Sequence, residues 1–174
     1  MSKTATYALI ESQTLGSATS SFTFSSIPST YTDLILVFNG TMTSADYVQF
    51  QVGNGSVDTG SNYSNTALEG NGTTASSSRA SNSTNIFTAE PMNTNQNNLI
   101  INFQDYSNTT TYKTTLMRSN TPLTDGGAVG STSATVGLWR STSAINTIKM
   151  YTYAGQTFAA GCTFKLYGIQ AGNA

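Results

Sequence analysis

The chain has 174 residues, of which 9 % are charged and 10 % aromatic, with a net charge of −1 and no histidine. So little charge beside so many aromatics argues against a disordered chain. The scattered Lys and Arg residues form no cluster able to displace several phosphate counterions, which argues against a nucleic-acid partner. Length and composition fit one domain over residues 1–174, with a short N-terminal arm over about residues 1–5.

In chain order, the hydrophobic pattern has period 2 rather than 3.6. A weak strand is expected over Tyr7–Glu11. In SFTFSSI, Phe22 and Phe24 share a face. DLILVFNG differs, because Leu34 to Phe38 is apolar on both faces. That predicts a central strand covered on both sides, or covered outside by a partner chain. In DYVQFQVG, Val48, Phe50 and Val52 take one face and Tyr47, Gln49 and Gln51 the other, wet one.

Further strands are expected over Tyr63–Gly70 and Thr84–Thr88. Between them, NGTTASSSRASN (Asn71–Asn82) is low in complexity and reads as a mobile surface loop. Leu99, Ile101 and Phe103 line up in NNLIINFQD. Tyr112–Arg118 and Ala134–Arg140 are weaker strands, with a long loop over Thr121–Thr132 between them. Ile148 and Met150 oppose Lys149, Tyr151 and Tyr153, and Cys162, Phe164 and Leu166 oppose Thr163, Lys165 and Tyr167.

Glycine and proline turn signals punctuate these runs at short intervals, as in a sandwich or barrel. The fold class is therefore all-β: an antiparallel, jelly-roll-like β-sandwich of about 8–10 strands, in two sheets of four or five. The closing stretch CTFKLYGIQ is expected beside TYALIES or SFTFSSI, completing a sheet begun at the other end of the chain. The predicted core holds Phe22, Phe24, Leu36, Phe38, Phe50, Ile101, Phe103, Leu138, Phe164 and Leu166.

Reactive chemistry is sparse. Without histidine there is no Ser-His-Asp or Cys-His site. Cys162 is the single cysteine and reads as a small buried hydrophobe. The carboxylates fall mostly at turns and strand ends, so the expectation is no enzyme, no catalytic residue, no cofactor and no metal. Asp58 in GNGSVDTGSN reads as turn chemistry before a calcium loop. Trp139, Tyr151 and Tyr153 are the candidates for interface or glycan contact; Trp139, beside Gly137 and Leu138, reads first as core or interface.

No apolar run is long enough for a secretory leader or a membrane helix, so the protein is expected to be made and kept in a cytoplasm, or to leave it inside something larger, with no membrane partner. The N-x-[ST] triplets at Asn39, Asn54, Asn62, Asn71, Asn82 and Asn108 are what a chain so rich in Asn, Ser and Thr yields by chance. A nearly neutral surface does little to oppose association.

Three stretches in order carry a resemblance: SSFTFSSIPSTYTDLILVFNG, DTGSNYSNTALEGNGTTASSS and VGLWRSTSAINTIKMYTYAGQTFAAGCTFKLYGIQ. Together they resemble a widespread group of bacteriophage virion structural proteins, over roughly residues 20–170. The matching positions include Phe22, Phe24, Ile27, Pro28, Tyr31, Asp33 and Leu34. Asn62 and Tyr63 follow, then Trp139, Ile145, Ile148, Phe158, Gly161, Phe164, Leu166, Tyr167 and Gly168. The middle section is short beside the group's pattern.

The resemblance implies a virion part without catalytic residues: a capsid decoration (cement) protein, bound to the major capsid protein on the capsid exterior and made in the bacterial host cytoplasm. Self-association is expected as well, as a homo-oligomer and by analogy a trimer. The alternative is a short tail-fibre or receptor-binding jelly-roll module recognising a host surface glycan.

Overall fold

A computed structural model describes residues 6–121 and 130–170. The expected arm over residues 1–5 and most of the loop expected over Thr121–Thr132 lie outside the described residues.

Every regular element described is a strand. They are β1 (Tyr7–Thr14), β2 (Ser21–Phe24), β3 (Asp33–Gly40), β4 (Val48–Asn54), β5 (Ser56–Val57), β6 (Tyr63–Gly70) and β7 (Ala75–Ser83), followed by β8 (Ile86–Phe87), β9 (Asn97–Gln104), β10 (Lys113–Thr121), β11 (Ser131–Trp139), β12 (Thr147–Thr152) and β13 (Thr163–Ile169). They form two antiparallel sheets, a β-sandwich. The large sheet has eight strands in the order β1-β13-β3-β9-β10-β11-β6-β7. The small one runs β2-β12-β4-β5, with β8 also paired to β4.

The closing strand β13 lies between β1 and β3, with Tyr167 opposite both Leu9 and Ile35. The two chain ends therefore meet in one sheet, as the sequence suggested. The expected strands appear at β1, β6, β8, β10 and β11, with ends shifted by a few residues.

The core lies between the sheets. Leu34, Leu36 and Phe38 of β3, Leu99, Ile101 and Phe103 of β9, and Phe164 and Leu166 of β13 face Phe24, Phe50, Val52, Ile148 and Met150, all buried. Phe164 stacks on Phe22 at 4.8 Å between ring centroids and meets Phe38 at 5.0 Å and Phe158 at 5.2 Å. Offset and edge contacts of this kind add to the burial of area. Cys162 is buried as expected. Its Sγ is the near neighbour that leaves no room for a side chain at Gly40.

Several expectations are corrected. The sheets hold eight and five strands rather than four or five each. Asn71–Asn82 is not a loop: Ala75–Ser83 is an edge strand on β6, joined to it by a turn in which Asn71 Oδ1 accepts from the Thr73 and Thr74 backbone amides at 3.0 and 2.8 Å. The outer face of β4 is not wet. Gln49 and Gln51 are buried there because the chain around β8 folds over them, and Gln51 Nε2 donates to the Thr84 carbonyl at 2.9 Å. Leu138 lies outside the core and Trp139 inside it. Finally, β3 is central, between β13 and β9, as expected, but the chain itself covers only one of its faces, since Ile35 and Val37 are half-buried.

Candidate functional site

Two surfaces stand out, one on the outer face of each sheet. The first follows from an inversion in β11. Its inward residues are Ser133, Thr135, Gly137 and Trp139, while Ala134, Val136 and Leu138 point outward. On β6 and β10, Leu68 and Leu116 also face out, while Asn65, Thr115 and Ser119 face in.

Strand register collects the outward residues into rows. One row runs Leu9, Tyr167, Ile35, Asn102, Leu116, Val136, Thr66. The next runs Lys165, Val37, Ile100, Arg118, Ala134, Leu68. Leu9, Leu68 and Val136 are each more than half exposed. A depression of about 350 Å³ between Leu34, Leu116 and Ile169 opens on this face, with Asp33 and Arg118 at its rim. Eight strands about 4.8 Å apart and seven to nine residues long make a face of roughly 35 by 25 Å. That is close to the ~800 Å² per partner of a standard protein interface.

The second surface is a cleft of about 520 Å³ on the small sheet. Its floor is Gln49 of β4, flanked in register by Tyr151 of β12 and Phe87 of β8. One wall is Tyr47 and Tyr153, whose rings meet edge to face at 6.5 Å. Asp46 holds this wall. Its buried carboxylate accepts from the backbone amides of Tyr47 at 2.8 Å, Ala154 at 2.9 Å and Gln156 at 3.3 Å.

The other wall is the chain from Asn82 to Asn85, where β7 bulges against β6 and Asn82 takes a positive φ of 56°. Asn tolerates that conformation better than most residues. Arg140 locks the bulge, donating to Asn82 Oδ1 at 2.9 Å and to the Ser61 carbonyl at 2.6 Å.

Of the three residues singled out in the sequence, Tyr153 lines the cleft and Tyr151 stands beside its floor. Burial pushes the Tyr151 hydroxyl pKa up, against a hydrogen bond with Asn85. Trp139 belongs to neither surface. It is buried, and its Nε1 donates to Asp58 Oδ2 at 2.8 Å. Asp58 also accepts from Asn62 Nδ2 and the Gly60 amide, both at 2.8 Å. Burial raises its carboxyl pKa, but these three bonds outweigh burial and hold it below the ordinary value.

Among the remaining carboxylates, Glu69 and Glu90 share a side-chain hydrogen bond, and Glu90 is held above the usual range by burial first and the Glu69 charge second. Sequence reading missed Tyr47, Gln49, Asn82, Asn85 and Phe87 as a group. They lie far apart in the chain and carry no shared motif.

No family model, curated protein or solved structure matches the chain.

Proposed function

We propose that the protein is a structural part of a phage virion: a decoration protein that docks on the major capsid protein at the capsid exterior, stabilises the shell, and catalyses nothing. The observation that carries this reading is the outer face of the large sheet. Leu68, Leu116 and Val136 exposed on adjacent strands, with Arg118 and Asn102 among them, have the mixed composition of an interaction surface. Burying one exposed Leu or Val side chain there is worth ~1.5–3 kcal/mol at most. Several together contribute to holding a partner, with Arg118 and Lys165 on the same face left to pair with it or stay in water.

The mechanism is linkage. A protein that binds only the assembled lattice favours that lattice by mass action. The resemblance to virion proteins supplies the partner, the location and the trimeric state.

The test is rebinding to particles stripped of the protein. Leu116→Lys with Val136→Lys changes two exposed side chains, so the fold is expected to survive and capsid binding to be lost. Stripped particles should release DNA at lower temperature than decorated ones. Equal heat resistance would remove the cementing role, and a few copies per virion rather than hundreds would move the protein to the tail. Light scattering should give about three times the 18.3 kDa chain mass.

A further inference from the structure

We infer that the cleft between the Tyr47–Tyr153 wall and the Asn82–Asn85 wall is a binding site for a neutral saccharide of one or two pyranose units. The inference goes beyond the docking role and holds whether the chain sits on the shell or on the tail.

The first argument is an unpartnered group. Gln49 is 7 % exposed, and among the described residues its side-chain amide has no hydrogen-bond partner. Its neighbour Gln51, equally buried, is satisfied by Thr84. The amide opens into the cleft rather than into the interior, so it is available to a ligand that displaces water there. An amide offers both a donor and an acceptor, which suits a hydroxyl able to give and take at once.

The second argument is the chemistry of the walls. Every lining side chain is uncharged. Arg140 is committed to Ser61 and Asn82 behind the wall. Because arginine only donates, Asn82 must turn Oδ1 toward it, which leaves Nδ2 free to donate to a ligand. Opposite stand aromatic surfaces: Tyr153, 68 % exposed, Tyr47, and Phe87 at the floor.

A pyranose ring matches this division. It has an apolar face of C–H groups for an aromatic ring and a rim of hydroxyls for amides. No lining side chain offers an anion a charge, the nearby Lys149 Nζ being engaged over the Tyr151 ring at 5.3 Å from its centroid, and a purely apolar ligand would strand Gln49 and Asn82 without partners. The volume, about 520 Å³, falls in the range of small-ligand sites.

The third argument is preorganisation. Asp46 pins the strand ends that carry Tyr47 and Tyr153, and Arg140 and Gln51 pin the facing segment. A ligand then orders little on binding, and ordering is the usual entropic penalty at such sites.

The experiment is a nuclear magnetic resonance titration of the full chain with cellobiose, lactose and N,N′-diacetylchitobiose, with glucuronic acid as the charged control. A dissociation constant of the order of 1 mM is expected for at least one neutral disaccharide, with shifts at Tyr47, Gln49, Asn82 and Tyr153. Tyr153→Ala and Gln49→Ala should each weaken binding by roughly tenfold. Tyr153 is exposed enough that its variant will fold, and Tyr47→Phe should retain binding by keeping the ring.

Absence of binding by all three neutral sugars overturns the proposal. So does binding unchanged in Tyr153→Ala and Gln49→Ala, or glucuronic acid binding as tightly as the neutral sugars. The double variant Leu116→Lys, Val136→Lys separates the two surfaces. It should lose capsid rebinding and keep the sugar, so either reading can fail alone.

Discussion

The ring of Tyr31 packs on the backbone of Gly168. A Cβ placed on that glycine would stand 2.2 Å from Tyr31 Cγ and 2.4 Å from Cδ1 and Cδ2. The two residues belong to YTDL and LYGI, the opening and closing motifs of the chain. Around them the Thr32 amide donates to the Ile169 carbonyl at 2.8 Å, and the Asp105 amide donates to Asp33 Oδ1 at 2.7 Å. The Tyr106 hydroxyl donates to the Pro28 carbonyl and accepts from the Tyr31 amide. Residues that mark the resemblance here are joints between the chain ends.

Gly168→Ala therefore forces Tyr31 off its seat. Overpacking of this kind typically costs about 1–3 kcal/mol. A urea titration should show a lower midpoint with an unchanged slope. Tyr31→Ala in the same chain should relieve the clash, so the double variant should fall short of the sum of the two single losses. Strict additivity would refute the contact.

Phe164→Ala removes the ring shared by Phe22, Phe38 and Phe158. The side chain is fully buried, and a truncation of this size costs about 3–5 kcal/mol. Soluble yield should drop sharply, and whatever folds should melt well below the parent. A variant melting like the parent would place the core elsewhere.

What could be read from the sequence depended on whether burial left an alternating mark. Phe50, Ile101, Phe164 and Leu166 face a continuous apolar layer, so their phase was visible. In β11 both sides of GLW are apolar, and period 2 gives no phase; the core takes Trp139 and leaves Leu138 outside. The edge strand β7 left no mark at all, because ASSSRASNS is almost wholly exposed and is held by backbone pairing to β6. Of the two surfaces, the outer face was half visible in the doubly apolar run Leu34–Phe38. The cleft was visible only at Tyr151 and Tyr153. Its other members come together through tertiary pairing, which local pattern does not encode.

The polar interior of the β6–β11–β10 region makes its own prediction. Thr135 is 1 % exposed, and its hydroxyl has no partner among the described residues. Valine keeps the shape and the β-branch while removing the unpaired group. Thr135→Val should raise stability by about 0.5–1.5 kcal/mol. Thermal and urea unfolding would check this. A loss of stability would mean that the hydroxyl finds a hydrogen bond in solution.

The last prediction concerns pH. Glu90 holds its proton more tightly in the folded chain than in the unfolded one, through burial and the Glu69 charge. Between the two pKa values the native state binds more protons, so this pair lowers stability as pH rises from about 4.5 through the folded value. Asp58 runs the other way. Its folded pKa lies below its unfolded one because Trp139, Asn62 and Gly60 together outweigh burial. Its contribution is complete above about pH 4 and is lost as pH falls through the folded value. Glu90→Gln should therefore gain on the parent as pH rises, since an amide can donate to Glu69 at every pH. Asp58→Asn should lose most at neutral pH and approach the parent in acid. Urea midpoints from pH 3 to about pH 8 for the three proteins measure both trends. A Glu90→Gln difference that stays flat with pH would mean that the two carboxyls do not share a proton in solution.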